Sequence, residues 1–101
     1  MNLSDLKTQG NEYYKKLMFD KAIDCYTKAL KENPSDCTLI TNRASCYMQK
    51  KDYKKALEDS QLAIQTDPNF IKGTTLYNFV FKKKYNDLIL FDILFWKKKK
   101  H

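Results

Sequence analysis

The stretch TLITNRASCY, residues 38–47, sets an amide and a guanidinium, Asn42 and Arg43, among apolar and small residues spaced for a buried helix. A guanidinium carries five N–H donors in a planar fork, and an amide carries two donors and an acceptor, so neither sits in a core without partners. Arg43 is expected to pack or to bridge an acidic neighbour. Asn42, between Ile40 and Ala44, is harder to dismiss as a solvated side chain and is a candidate for contact with a ligand. Other chemistry is sparse. The single histidine is His101, outside the patterned part of the chain, and neither a Gly-rich phosphate loop nor a nucleophile elbow occurs. The carboxylates are spread over helix surfaces, where solvation is the default. Cys25, Cys37 and Cys46 are odd in number and form no C-x-x-C pair. With no signal peptide ahead of them, reduced intracellular thiols are expected rather than a disulfide or metal site. No catalysis, cofactor or metal is expected.

The elements that position these residues follow from a period of 34. Gly10 aligns with Ala44, Tyr13 with Tyr47, Ala22 with Ala56, Ala29 with Ala63 and Pro34 with Pro68. A chain of 101 residues with 2 Gly, 2 Pro and 31% charged residues fits one small soluble helical domain at most. Gly10 with Ala22, and Ala44 with Ala56, let two antiparallel helices approach closely. Tyr13, Tyr26 and Tyr47 fill the larger spaces, their hydroxyls reaching polar edges. Pro34 and Pro68 disfavour helical geometry in the residue before them and so end helices at KENPSD and QTDPNF. Ser35 or Asp36, then Asp67 or Asn69, are natural caps for the helices that follow. The pattern predicts helices over about 3–16, 19–32, 36–50, 53–66 and 69–84, with the short turns KLMFD and QKKDY folding each pair into a hairpin.

A 34-residue unit of two helices with small residues at the crossing, an aromatic three residues after the first and a closing Pro resembles the tetratricopeptide repeat. The resemblance implies an all-α solenoid of antiparallel helix-turn-helix units within residues 1–84: complete repeats over about 3–36 and 37–70 and a degenerate third over 71–84. In such arrays the first helices of successive repeats line a concave groove. LKTQGNEYY and TNRASCY further resemble the co-chaperone subclass, in which two Lys, two Asn and an Arg clamp the free C-terminus, Glu-Glu-Val-Asp, of heat-shock chaperones.

Carried over position by position, the resemblance implies Lys7, Asn11, Asn42 and Lys72 as clamp residues. Lys7 and Asn11 are four apart and share a helix face. The Arg expected one turn after Lys72 falls at residue 76, which is Leu76, and the missing donor is expected to weaken binding. Ammonium and amide donors suit a carboxylate, whose oxygens only accept. Read singly, Lys7 as a solvated helix lysine and Asn11 as a bond to a neighbouring helix stay open. The partner implied is the C-terminal tail of a 70- or 90-kDa heat-shock chaperone in the cytoplasm, with no small-molecule substrate and no nucleic acid. The alternative is a scaffold that holds a partner's helix without a free carboxylate.

The net charge of +7 belongs to the end of the chain: residues 1–70 carry 11 Lys+Arg and 10 Asp+Glu, residues 71–101 carry 8 and 2. No apolar run reaches the ~18 residues of a membrane span. The third repeat lacks its small residues, having Asn78, Leu90 and Lys97 at those places. Residues 85–96, YNDLILFDILFW, have 9 apolar residues in 12 and precede KKKKH. Residues 85–101 admit three readings: a capping helix folded back on the second repeat, a membrane-surface or nuclear-import element, or sequence foreign to the repeat fold.

Overall fold

Helix ends are set by short polar side chains and by proline. Asn2, Asp36 and Asp52 each place a side-chain oxygen under a helix start, accepting from the backbone N–H of Asp5 (2.9 Å), Leu39 (3.2 Å) and Lys55 (3.3 Å). Each bond satisfies one of the donors that a first turn leaves open. At the other end, Asn33 and Asp67 are forced into extended backbone by the prolines that follow them, with ψ of 80° and 96°. The computed structural model describes residues 2–100, with the side chains of residue 3, residues 87–95 and residues 97–100 outside the description. It holds five helices: α1 (Leu3–Lys15), α2 (Phe19–Glu32), α3 (Cys37–Gln49), α4 (Tyr53–Thr66) and α5 (Ile71–Lys100). Among the described residues there is no strand.

The first four helices lie where the 34-residue period predicts them. α1 pairs with α2 and α3 with α4, while α2 meets α3 and α4 meets α5, so each helix packs on its chain neighbours in a solenoid. Ala22, Ala29, Ala44, Ala56 and Ala63 are all fully buried at the crossings. Gly10 shows why a small residue is needed: a Cβ there would stand 2.7 Å from Cε1 of Tyr26. Tyr26, Leu30, Leu39 and Ile40 fill the first core, and Ala56, Leu57 and Val80 the second.

Both hairpins turn in the same way. Leu17 and Lys51, 34 residues apart, take left-handed φ of 62° and 64°. The N–H of Met18 donates to Tyr13 O and that of Asp52 to Tyr47 O, each at 2.9 Å. This is the C-terminal stop usually given to glycine, carried here by two residues with side chains.

The chain departs from expectation after residue 67. Neither Asp67 nor Asn69 caps the next helix. Asp67 instead accepts from Asn69 N–H at 3.0 Å, closing a turn ahead of α5. α5 then runs 30 residues, about 45 Å, without a break at residue 84. No proline follows Pro68 and no glycine follows Gly73, so nothing in the backbone stops it. Its first turns lie on the second repeat: a Cβ on Gly73 would meet Ala63 Cβ at 3.3 Å, and Val80 is fully buried. Phe79, Phe81 and Trp96 are exposed. The three readings of residues 85–101 turn on side chains that mostly lie outside the described residues. No described helix is long and apolar enough to cross a membrane.

Candidate functional site

The odd-numbered helices α1, α3 and α5 line one side of the array, and between them opens a cleft of about 320 Å³. α1 contributes Asn11, Tyr14 and Lys15, one face by their spacing of three and four; α3 contributes Asn42 and Ser45; α5 contributes Lys72. Three of the four residues predicted for the site thus meet in one cleft, from three helices. Lys7 is not among the lining residues. It is half-buried one turn before Asn11, on the same face of α1, so it extends the stripe rather than joining the cleft wall. Leu76, one turn after Lys72, is half-buried and packs on the second core beside Val80, so the place expected for an Arg carries an apolar contact.

The polar groups of the cleft have a fixed order. Tyr26, reaching up from α2, donates its hydroxyl to Asn11 Oδ1 at 2.5 Å, and Asn42 Nδ2 donates to the same oxygen at 3.5 Å. Asn11 therefore does both things its sequence left open: it bonds neighbouring helices and it lines the cleft. Its Nδ2 has no acceptor among the described residues. Burial pushes the Tyr26 phenol far above its usual range, so it stays a donor at any ordinary pH. Lys15 leans on Glu12 at 3.7 Å in an exposed pair, whereas Lys7 and Lys72 have no acidic partner among the described residues. Among the described residues no Asp or Glu lines the cleft. Ammonium and amide donors without competing carboxylates suit an anion, above all a carboxylate.

Arg43 faces away from this cleft. Its Nε and Nη2 donate to Asp59 Oδ2 and Oδ1 at 2.8 and 2.7 Å, and Nη1 donates to Thr27 Oγ1 at 3.3 Å. The hydrogen bond to Asp59 raises its pKa further. One side chain of α3 thereby ties α2 to α4, the bridge expected of it. At the matching positions of the first repeat, Cys25 Sγ donates to Gln9 Oε1 at 3.7 Å, a neutral pair in place of the ionic one.

Sequence reasoning missed Tyr14, Lys15 and Ser45, although their offsets of three and four from Asn11 and Asn42 carried the signal. It read Tyr26 as filling space with a hydroxyl at a polar edge, without identifying that edge as Asn11.

Comparison with known proteins adds the following. Two family models described as the tetratricopeptide repeat match residues 6–36 and 38–70. RNA polymerase II-associated protein 3 of Homo sapiens is 42% identical over 68 residues, which are 67% of this chain and 10% of the relative. Hsp70-Hsp90 organizing protein 2 of Arabidopsis thaliana is 34% identical over 83 residues, 80% of this chain and 14% of the relative. The chain thus spans only a small part of the length of these relatives. A solved structure of the first TPR of Spaghetti (RPAP3), bound to the HSP90 peptide SRMEEVD, superimposes with a TM-score of 0.74 at 35% identity, covering 81% of this chain and 68% of that one.

Proposed function

This chain belongs to the tetratricopeptide-repeat family, a protein-interaction fold and not an enzyme family, and on that premise we propose that its cleft binds the acidic C-terminal peptide of a 70- or 90-kDa heat-shock chaperone. Lys7, Asn11, Asn42 and Lys72 hold the terminal and side-chain carboxylates of that peptide. The observation that carries the reading is the convergence of Asn11, Asn42 and Lys72, from three helices, on one cleft with no acidic residue among its described lining. The related module solved with SRMEEVD supports the choice of ligand. The working module is residues 1–84, and it acts in the cytoplasm, where thiols such as Cys25, Cys37 and Cys46 stay reduced.

Charge-assisted hydrogen bonds contribute roughly 1.5–3 kcal/mol each where water is partly excluded, against about 0–1 for an exposed ion pair. With Leu76 where a fifth donor is expected, a Kd on the order of tens to hundreds of micromolar follows. The test is a titration with a labelled acidic peptide and with its C-terminally amidated twin. The free-carboxylate peptide binds, more weakly as salt rises, and the amidated one at least about tenfold less well; Lys7→Ala or Lys72→Ala removes most of the affinity. Leu76→Arg can lay its stem on the apolar surface that Leu76 covers and extend its guanidinium to the ligand, tightening binding about tenfold. Equal binding of the two peptides refutes the reading and leaves a scaffold that grips a partner's helix.

A further inference from the structure

We propose that Tyr26 is a positioning residue for this cleft: by donating to Asn11 Oδ1, its hydroxyl decides which end of the Asn11 amide faces a ligand. The proposal rests on the chaperone-tail reading above, which needs donors at that point.

An asparagine amide fits its pocket in two orientations that differ only in exchanging O and N. In the orientation observed, Oδ1 takes the Tyr26 hydroxyl at 2.5 Å and Asn42 Nδ2 at 3.5 Å, and the NH2 group is left for the cleft. Turned over, Asn11 would present its NH2 to two groups that already donate. Asn42 Nδ2 would face another NH2, and the phenol, having accepted from Asn11, would lose the acceptor that its proton has here. The cleft would then show a carbonyl oxygen, which repels a carboxylate. Tyr26 cannot swing aside to accommodate this, because it is 1% exposed and its ring occupies the space beside Gly10, where a Cβ would come within 2.7 Å of it.

The second repeat shows the arrangement to be particular to the first. There Gly10, Asn11 and Tyr26 correspond to Ala44, Ser45 and Ser60. Ser60 turns back to its own helix, donating to Ala56 O at 2.7 Å, and reaches nothing on α3. A glycine that admits a ring and a ring whose hydroxyl reaches an amide occur together only where the cleft has that amide.

The experiment compares wild type, Tyr26→Phe, Asn11→Ala and the double variant in titrations with the free and amidated acidic peptides, and records the Asn11 side-chain NH2 signals by ¹⁵N NMR. Tyr26→Phe keeps the ring and loses only the donor. It weakens the free-carboxylate peptide about fivefold, the weight of one neutral hydrogen bond, leaves the amidated peptide unchanged, shifts the Asn11 NH2 signals and adds nothing in the Asn11→Ala background. Wild-type affinity in Tyr26→Phe, or an equal loss with Asn11 already removed, overturns the proposal. If wild type shows no preference for the free carboxylate, the chaperone-tail reading fails separately. The NH2 signals then decide: displaced in Tyr26→Phe they uphold the positioning, superimposable they overturn it.

Discussion

Replacing Asp59 with Asn keeps the shape of the side chain and removes its charge, so it isolates what the Arg43 bridge contributes. The side chains of Arg43 and Asp59 are 18% and 9% exposed, with two bonds of 2.7 and 2.8 Å in fork geometry. An exposed pair is worth about 0–1 kcal/mol, whereas breaking a buried one costs about 3–5, because a guanidinium is left in the interior without its counterion. Arg43 retains Thr27 Oγ1 and keeps one acceptor in the amide oxygen, the amide NH2 facing the other arm of the fork, and its remaining exposure lets water reach part of that fork. A loss of about 2–4 kcal/mol follows. For a domain of this size each kcal/mol moves Tm by about 4–8 °C, so Asp59→Asn lowers Tm by roughly 10 °C or more. Thermal and urea unfolding of wild type, Arg43→Met, Asp59→Leu and the Arg43→Met, Asp59→Leu double variant close the cycle, with Asp59→Asn measured beside them as the variant that removes only the charge. The double variant recovers much of the loss, since no charge is then stranded. Because the bridge faces away from the cleft, peptide affinity measured well below Tm does not change. A single-variant loss under about 0.5 kcal/mol would show that water screens the pair as it does at a surface and would refute the reasoning.

Gly10→Ala gains up to about 1 kcal/mol of helix propensity but drives a methyl into the Tyr26 ring, an overpacking cost of about 1–3, so it lowers Tm in a thermal scan; Gly73→Ala, with a methyl of Ala63 at 3.3 Å as its nearest neighbour, is much closer to neutral. Leu17→Gly and Lys51→Gly relieve left-handed backbone and each raise the urea midpoint by the equivalent of about 0.5–1 kcal/mol, Leu17 doing so without loss of core because it is 72% exposed. Burial pushes the Cys46 thiol up to about 12 from an ordinary 9.0, so between those values the folded chain holds a proton that the unfolded chain has released. The associated stability is complete below about pH 9 and falls as pH rises towards 12. Cys46→Ala flattens that decline in urea melts taken across the alkaline range.

The repeat pattern made most of the scaffold legible because it is written in residues with few substitutes: alanines where backbones cross, and prolines that forbid helix in the residue before them. The turns were not legible in detail, since Leu17 and Lys51 bear none of the composition expected of left-handed backbone and are recognisable only by their separation of 34. The length of α5 was hidden for the opposite reason. The repeat register ends it near residue 84, yet no residue there can stop a helix. Asn11, Asn42 and Lys72, which line the cleft, were expected through the resemblance to co-chaperone clamps and not from helical periodicity, and Lys7, expected on the same ground, stands outside its wall. The Tyr26 bond to Asn11 crosses between two helices at a separation of 15 residues, which neither helical periodicity nor the repeat offset encodes. Leu76 joins the second core through contacts with Val80 and its neighbours that no single-helix pattern specifies.

Two repeats with the same small and large positions offer a folding chain wrong partners as well as right ones. α3 could seat itself against α2 as though α2 were α4, since Ala22 and Ala29 stand where Ala56 and Ala63 do. In that arrangement Arg43 would find Cys25 where Asp59 belongs, and a guanidinium would be sealed against a thiol. The ionic pair in one repeat and the neutral Gln9–Cys25 pair in the other thus distinguish the two hairpins, alongside the glycine and ring that only the first possesses. Any pairing that strands Arg43 or Asp59 in the interior costs more than the observed one, which leaves neither charge alone.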